Sequence, residues 1–238
     1  MERSLAESRQ KAQALILAGQ LYSGDRRIDK PGQLLAVDLP LEIRGPKCPF
    51  VSRGGLKLDG ALEDLGIDAR NLSCLDVGAS TGGFSDCLLQ QGAKRVVALD
   101  VGHGQLDARL RADPRVTSLE GVNARYLEPE ALPLSPDLVV VDASFISLKL
   151  ILPAILRSAP EARVLALLKP QFEVGRGRVG RGGVVRSEED QLATVDGIAA
   201  LARLLGYTVA GVVKSRLKGP KGNQEYFIHL VPEKKGER

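Results

Sequence analysis

Two side chains of opposite charge stand directly after apolar segments that are typical of buried strands. Asp142 follows residues 138–141, and Lys169 follows residues 164–168. Parallel strands of an open α/β sheet end at one edge, where ligands bind, so both side chains are expected to face one crevice. A lysine that is partly desolvated there can act as a base or stabilise a developing alkoxide, with Asp142 to orient it. The pair therefore predicts chemistry at an oxygen atom.

A glycine-rich turn supplies a second candidate site. Residues 76–84, which read DVGASTGGF, follow a predicted strand and open a predicted helix. A dinucleotide fingerprint would need glycine in place of Ser80, and a phosphate-binding loop would need Gly-Lys-Ser/Thr at the helix start. The spacing Asp-x-Gly-x-Ser-x-Gly instead fits the acidic turn of S-adenosylmethionine-dependent methyltransferases. In that turn the carboxylate, here Asp76, interacts with the amino-acid end of the cationic ligand.

A further carboxylate, Asp100, ends the next predicted strand, 24 residues after Asp76. A carboxylate at this position can accept hydrogen bonds from both ribose hydroxyls of an adenosyl group. We therefore expect S-adenosylmethionine as the cofactor and no metal. The residues assigned to cofactor binding are Asp76, Gly78, Ser80, Thr81, Gly82, Gly83, Phe84, Asp100, Asn123 and Asp142.

The residues around the strand ends indicate which kind of atom accepts the methyl group: a base carbon, a base nitrogen or a sugar oxygen. Methylation of a base carbon by a cysteine nucleophile would need a thiol at a strand end. Cys74 instead lies within a predicted strand, and Cys87 lies within a predicted helix. Methyltransferases of adenine or cytosine nitrogen typically carry an Asn/Asp-Pro-Pro-aromatic turn after the fourth strand, where this chain reads Asp-Ala-Ser-Phe at 142–145. A sugar oxygen is therefore the favoured acceptor.

The elements that must position these residues alternate between apolar strands and helices from Leu56 onward. This alternation predicts an α/β fold, in which a Rossmann-like, mostly parallel seven-stranded sheet has helices on both faces. Ser187, three residues before Asp190, is expected to cap the longest helix. The predicted helices are 58–64, 83–90, 149–156 and 188–205. The predicted strands are 74–77, 95–99, 116–119, 138–141, 164–168, 207–213 and 226–230.

Composition is that of a globular protein with a buried core. The 238 residues are 44% hydrophobic, and 33 basic and 29 acidic side chains give a net charge of +4, which is compatible with nucleic acid without demanding it. Three cysteines without C-x-x-C spacing predict neither a disulfide framework nor a metal site. A polar N-terminus and the lack of a long apolar run predict a cytoplasmic protein without membrane association.

The first 47 residues differ in pattern from the rest. A basic helix over 4–18 and strand-like segments at 20–22 and 41–43 predict a small unit with a hairpin. We assign residues 48–55 to a linker and 56–238 to the α/β domain. Residues 175–186, with five glycines and four arginines, are expected to form a mobile basic loop.

Five motifs in this order resemble the TlyA family, often named hemolysin A and related to the RrmJ/FtsJ-type ribose 2′-O-methyltransferases. They span nearly the whole chain and are SRGGLKL (52–58), DVGASTGGF (76–84), DASFISL (142–148), KPQFE (169–173) and GNQEYF (222–227). The resemblance implies a methyltransferase that modifies the 2′-hydroxyl of a cytidine in ribosomal RNA. It also implies a catalytic tetrad formed by Lys57, Asp142, Lys169 and Glu225.

The amino-terminal unit resembles an S4 RNA-binding domain at residues 8–19 and 29–32. S4 domains usually carry a further helix before this one, so two expectations stay open for this α+β domain: it is truncated, or the start codon is misassigned. Ribosomal RNA or ribosomal subunits are the expected partners. The residues expected to contact RNA are Arg9, Lys11, Arg26, Arg27, Lys30, Arg53, Lys214, Arg216, Lys218 and Lys221.

Three alternatives remain open from the sequence. A non-catalytic RNA-binding or ribosome-assembly protein would have no need of Lys169 together with Asp142. A hemolysin-like membrane-active protein, which only the family's second name raises, would need a spanning or strongly amphipathic apolar helix. An oxidoreductase on the same fold is disfavoured by Ser80 in the glycine turn.

Overall fold

The computed structural model describes residues 3, 5–6, 9–17, 19–44, 48–175 and 177–233. The chain divides into two compact units, residues 1–49 and 50–238. Among the described residues, no helix is both long enough and apolar enough to cross a membrane.

The smaller unit contains one helix and a three-stranded antiparallel sheet in the order β2-β1-β3. Pairing of β1 with β3 confirms the predicted hairpin segments, whereas β2 was missed because two exposed arginines carry no apolar alternation. The predicted helix begins later than expected, and residues 4, 7, 8 and 18 lie outside the described ones. The elements are α1 (Arg9–Leu17), β1 (Leu21–Ser23), β2 (Arg26–Arg27) and β3 (Glu42–Ile43).

The larger unit is built on a seven-stranded sheet in the order β6-β5-β4-β7-β8-β10-β9. Strands β4 to β8 are parallel, and β10 runs antiparallel to both β8 and β9. The predicted Rossmann-like, mostly parallel sheet is therefore confirmed. Its strands are β4 (Ser73–Val77), β5 (Arg95–Asp100), β6 (Val116–Glu120), β7 (Leu138–Val141), β8 (Arg163–Leu168), β9 (Tyr207–Lys214) and β10 (Tyr226–Pro232).

Helices cover both faces of this sheet. Successive side chains of a strand point to opposite faces, and Leu75 and Val77 belong to one core with apolar residues of α5 and α7. Asp76 points to the other face, where it meets Ser85 of α3. The helices are α2 (Arg53–Asp64), α3 (Gly83–Gln90), α4 (Ala108–Ala112), α5 (Leu148–Ser158), α6 (Pro170–Glu173) and α7 (Glu188–Leu204).

Local capping sets where two of these helices begin. The Ser187 hydroxyl accepts a hydrogen bond from the Asp190 N–H at 3.1 Å, which confirms the predicted cap of α7. Ser52 caps α2 in the same way through the N–H of Gly54. Helix α2 consequently begins at Arg53, inside the segment that was assigned to a linker, and the larger unit starts at residue 50.

The strand order reverses between β4 and β7, which places a crevice beyond their carboxyl ends. The backbone N–H of Asp142 donates to the carbonyl of Val77 at 2.9 Å and holds the two strand ends together. The glycine turn after β4 and the Asp142 segment after β7 therefore face each other at the position where open α/β sheets bind ligands.

Replacing Gly55 by alanine is expected to lower the free energy of unfolding by about 1–3 kcal/mol, because the fold has no room for a side chain there. An added Cβ would lie 2.3 Å from Cγ of the buried Phe50 ring. Gly197→Ala is the matched control, since a Cβ on this exposed position of α7 meets nothing within 4 Å. It should raise stability by about 0.5–1 kcal/mol through helix propensity. Urea denaturation measures both changes, and shifts of the same sign would contradict the packing of Phe50.

Candidate active site

The two strand-end residues that were expected to act together meet in the structure. Lys169 Nζ lies 2.6 Å from Asp142 Oδ1 and donates to Ser144 Oγ at 2.8 Å. They meet because β7 and β8 are neighbouring parallel strands that end at the same edge. Lys169 is only 7% exposed, so its ammonium group depends on the charge of Asp142 and on the hydroxyl of Ser144 in place of water.

A second ion pair joins Lys57 to Glu225. Lys57 Nζ lies 2.5 Å from Glu225 Oε2, and both side chains are buried. Glu225 precedes β10, and Tyr226 of that strand pairs with Leu168 at the end of β8. The antiparallel direction of β10 thus brings Glu225 to the edge where Lys169 stands. All four residues of the implied tetrad therefore lie at one edge of the sheet, as two ion pairs.

Lys169 and Glu225 line one cleft of about 350 Å³, which we call the lysine cleft. Phe145 and Phe172 form part of its wall, with ring centroids 5.2 Å apart. Phe145 is 91% exposed, and its φ of +65° lies in the left-handed region. A bulky residue in that region costs roughly 1–3 kcal/mol and points to a functional constraint on this loop.

A second cleft of about 470 Å³, which we call the glycine cleft, shares Ser144 and Phe145 with the lysine cleft. Its volume is in the usual range for a small-molecule site. At Gly78, φ is +85° and a Cβ would lie 2.8 Å from the carbonyl oxygen of Asp142, so only glycine fits this wall. The predicted cofactor residues that line this cleft are Gly78, Ser80, Asp100, Asn123 and Asp142.

Asp100 is placed at the end of β5, as the sequence predicts. Its two carboxylate oxygens accept hydrogen bonds from the N–H groups of Ser80, at 2.8 Å, and Gly102, at 2.7 Å. Each oxygen keeps a further lone pair for a hydroxyl group of a ligand. Gln105, which sequence reasoning missed, accepts a hydrogen bond from Ser80 Oγ at 3.1 Å and also lines the cleft. It lies in an irregular segment without a motif, so no sequence signal identified it.

The other residues of the glycine turn do not line the glycine cleft. Gly82 is the N-cap of α3 with a φ of +91°, and Gly83 begins that helix. The Phe84 ring stacks on Phe227 with centroids 6.0 Å apart. With Thr81, these residues shape the turn and anchor α3, and direct contact with a cofactor remains a prediction for them.

Asp76 is completely buried beneath the glycine turn. Its Oδ2 accepts a hydrogen bond from Ser85 Oγ at 2.7 Å, while Oδ1 has no hydrogen-bond partner among the described residues. Burial raises the pKa of Asp76 to about 7, and the nearby carboxylates of Asp142 and Asp100 act in the same direction. The buried acceptor is thus costly for the fold unless another group supplies a hydrogen bond.

The two thiols of the larger unit's core are unsuited to nucleophilic attack. Cys74 and Cys87 are both buried. Burial raises the pKa of Cys74 to about 12 and also raises the pKa of Cys87. Since the thiolate is the nucleophile, neither cysteine is a candidate for covalent catalysis.

Two of the basic residues predicted to contact RNA form ion pairs within the chain. Arg216 forms ion pairs with Glu63 and Asp64 of α2, and Lys214 forms one with Glu188 at 2.9 Å. These two cations are thus partly neutralised within the chain. The Lys11 side chain lies outside the described ones. The remaining predicted contacts are all exposed: Arg9, Arg26, Arg27, Lys30, Arg53, Lys218 and Lys221.

Residues 175–186 were predicted from their composition to form a mobile loop. In the structure, hydrogen bonds hold the second half of this segment in place. Val185 is buried, and its N–H donates to Asn223 Oδ1 at 2.9 Å. The Asn223 side chain in turn donates to the carbonyl of Gly183 at 2.9 Å. Both Gly183 and Asn223 line the lysine cleft, so these bonds fix one of its walls.

Comparison with known proteins places this arrangement in a family. A model described as FtsJ-like methyltransferase matches residues 50–231. The chain belongs to the FtsJ-like methyltransferase family. This match covers the seven-stranded sheet up to the last residue but one of β10, and both clefts, and it confirms that the protein is a methyltransferase.

Similar proteins support the same placement. The methyltransferase is 47% identical over 232 residues to the 16S/23S rRNA (cytidine-2′-O)-methyltransferase TlyA of Mycobacterium tuberculosis, which covers 97% of this chain and 87% of the relative. A Streptococcus thermophilus protein described as a hemolysin is 40% identical, with a TM-score of 0.80 over 98% of this chain and 86% of that one. These relatives confirm the resemblance to the TlyA family.

A more distant solved structure bears on the fold alone. A Listeria monocytogenes protein described as an S-adenosylmethionine-dependent methyltransferase is 15% identical, with a TM-score of 0.54 over 74% of this chain and all of that one. The sheet and its helices therefore share the architecture of that class of enzymes.

Asp76→Asn is expected to remove a pH-dependent loss of stability. The carboxyl group has a pKa of about 7 in the folded chain and an ordinary value of 3.8 when unfolded. The folded state therefore binds the proton more tightly, and the free energy of unfolding falls as pH rises from about 4 to about 7. Full ionisation of the buried group costs roughly 4 kcal/mol.

Thermal denaturation at pH 4.5 and pH 8 measures this effect. The variant and the parent should differ little at the lower pH, and the variant should be the more stable protein at the higher pH. A difference between them that does not change with pH would contradict the assignment to Asp76.

Proposed function

We propose that this methyltransferase transfers a methyl group from S-adenosylmethionine to a ribose 2′-hydroxyl of ribosomal RNA, at a cytidine. The observation that carries the proposal is the ion pair of the buried Lys169 with the half-buried Asp142, which lies where the lysine cleft adjoins the glycine cleft. The activity named for the Mycobacterium tuberculosis relative supports the ribosomal substrate and the cytidine. The burial of the Cys74 and Cys87 thiols supports an oxygen acceptor.

The glycine cleft has the groups that S-adenosylmethionine needs. Asp100 at the end of β5 retains lone pairs for the two ribose hydroxyls of the adenosyl group. Asp76 does not line this cleft, but its buried Oδ1, an acceptor without a partner among the described residues, suits a hydrogen bond from a water that links it to the amino-acid end. Gly78 keeps the wall next to Asp142 free of side-chain atoms. When bound, this cofactor supplies an electrophilic methyl group on a sulfonium.

Lys169 is the residue that would act on the acceptor oxygen. A hydroxyl group is a poor nucleophile, so its proton must leave, here to water, as the oxygen bonds to the methyl carbon and the carbon–sulfur bond breaks. Negative charge develops on the oxygen as the proton leaves. The Lys169 ammonium stabilises that charge, and burial strengthens the interaction because little water screens it. Asp142 and Ser144 hold Nζ in place. Alignment of the oxygen with the methyl group supplies much of the rate.

Glu225 and Phe145 would position the nucleotide. Glu225 lines the lysine cleft and is held by Lys57, so its second carboxylate oxygen can accept a hydrogen bond from the ribose. The exposed ring of Phe145 offers a flat apolar face at the boundary of the two clefts. Proteins that recognise unpaired RNA bases commonly stack them on such rings.

Lys169→Met is expected to lower the methylation rate by about 100-fold or more, because the methionine keeps the apolar stem but removes the charge. Affinity for S-adenosylhomocysteine, measured by calorimetry, should stay close to that of the parent. Lys94→Met, which removes an exposed lysine before β5, is the matched control and should leave both quantities unchanged. Methylation by Lys169→Met at the parental rate would refute the catalytic role.

Asp100→Ala is expected to weaken cofactor binding by about 10- to 100-fold, because two charge-assisted hydrogen bonds to hydroxyl groups are lost. The rate at saturating cofactor should fall less than the affinity does. Calorimetry with S-adenosylhomocysteine gives the affinity directly. An unchanged dissociation constant would remove Asp100 from the cofactor site.

The acceptor is tested with ribosomal subunits from cells that lack this enzyme. Incubation with the protein and tritiated S-adenosylmethionine should label ribosomal RNA. Nuclease digestion and mass spectrometry should then find a cytidine methylated at its ribose oxygen. A methyl group on a base, or label in another class of molecule, would overturn the proposal.

A further inference from the structure

Residues 142–147 form the wall between the lysine cleft and the glycine cleft. Ser144 and Phe145 of this segment line both clefts. Phe145 is held with a φ of +65° although its side chain is bulky and exposed. A strained residue of this kind persists only when the surrounding structure holds it in place. The bonds that fix the two ends of this wall therefore matter for both clefts.

Three contacts fix the wall along its length. At its start, the N–H of Asp142 donates to the carbonyl of Val77. In its middle, Lys169 Nζ donates to Ser144 Oγ. At its end lies Glu173. Its Oε2 accepts a hydrogen bond from Ser147 Oγ at 2.6 Å, and its Oε1 accepts one from the N–H of Leu148 at 2.8 Å.

Glu173 comes from the segment that follows Lys169. It is the last residue of the short helix α6, and the N–H of Phe172 in that helix donates to the carbonyl of Lys169 at 2.9 Å. The two hydrogen bonds of Glu173 reach the first residues of α5, the helix that follows the wall. Glu173 thus joins the segment after Lys169 to the segment after Asp142.

The start of α5 stabilises the contact that the Glu173 carboxylate makes there. A carboxylate at the start of α5 is stabilised by the unpaired N–H groups and dipole of the helix. Partial burial raises the pKa of Glu173, while the bonds from Ser147 and Leu148 act in the opposite direction. A half-buried acceptor that satisfies two donors is expensive to remove, because both donors then lose their partner.

We propose that Glu173 is a positioning residue for methyl transfer. By accepting hydrogen bonds from Ser147 and Leu148, it holds the wall of residues 142–147 against Lys169 and so fixes the lysine cleft relative to the glycine cleft. The inference rests on the proposed function and deepens it. Glu173 itself lines neither of the two clefts, so it acts through the wall.

A role as a helix cap alone would have other consequences. Ser147 already caps α5, since its hydroxyl accepts a hydrogen bond from the N–H of Lys149 at 3.1 Å. Loss of a cap lowers stability and leaves the turnover of the folded enzyme unchanged. Loss of a positioning residue lowers kcat, because small displacements of the reacting groups slow the reaction strongly.

Glu173→Ala, Glu173→Gln and the parent are compared in methylation of ribosomal subunits at saturating cofactor. Alanine should lower kcat on the order of 10- to 100-fold, whereas KM for the subunits should change by less than about threefold. Glutamine should restore most of the rate, since its carbonyl can accept from Leu148 and its amide can donate to Ser147. Glu161→Ala, which removes an exposed carboxylate of the same unit, is the matched control and should behave as the parent.

Amide hydrogen exchange gives a readout that does not depend on activity. Glu173→Ala should accelerate exchange at residues 143–149 and leave β7 and β8 protected as in the parent. Parental kcat with parental exchange in this variant would overturn the inference. A rate loss that glutamine fails to restore would also overturn it. An inactive parent with the predicted change in exchange would refute the proposed function and still support the contact by which Glu173 holds the wall of residues 142–147.

Discussion

The site depends on how a lysine ammonium is buried at the end of an apolar strand. Every residue of β8 after Arg163 is buried, and Lys169 follows directly with 7% exposure. An unpaired charge there would cost several kcal/mol, so the fold must bring an acceptor to it. The register of β8 with β7 does this by placing Asp142 at the same edge. The position of the reacting pair is therefore set by the pairing of two core strands.

The same edge holds groups that reduce the stability of the fold. Asp76 is buried with one oxygen lacking a partner among the described residues, and Phe145 is strained and exposed. Such local conflicts are expected at functional sites and require a well-packed surrounding. Here β7 and most of β8 supply it, because their side chains are buried on both faces. The well-packed sheet thus offsets the unfavourable free energy of the groups around the clefts.

Asp142 and Lys169 could be predicted from the sequence because each is marked by a local signal, a charge directly after an apolar strand. Lys57 and Glu225 could not be found in this way, since they meet across 168 residues through the antiparallel path of β10. Only the family resemblance identified them. Arg216 shows a further limit, because the acidic partners that neutralise it lie on α2, which sequence proximity does not reveal.

The clefts also constrain how RNA can be recognised. Arg216 and Lys214 are engaged in ion pairs, whereas Lys221 is an exposed cation that lines the lysine cleft. A cleft of about 350 Å³ admits a single nucleoside but has no room for a duplex. The deep groove of an A-form helix likewise hides its interior from side chains. The proposed ribose substrate must therefore be presented by an unpaired or displaced nucleotide, whose free base can stack on an exposed ring such as that of Phe145.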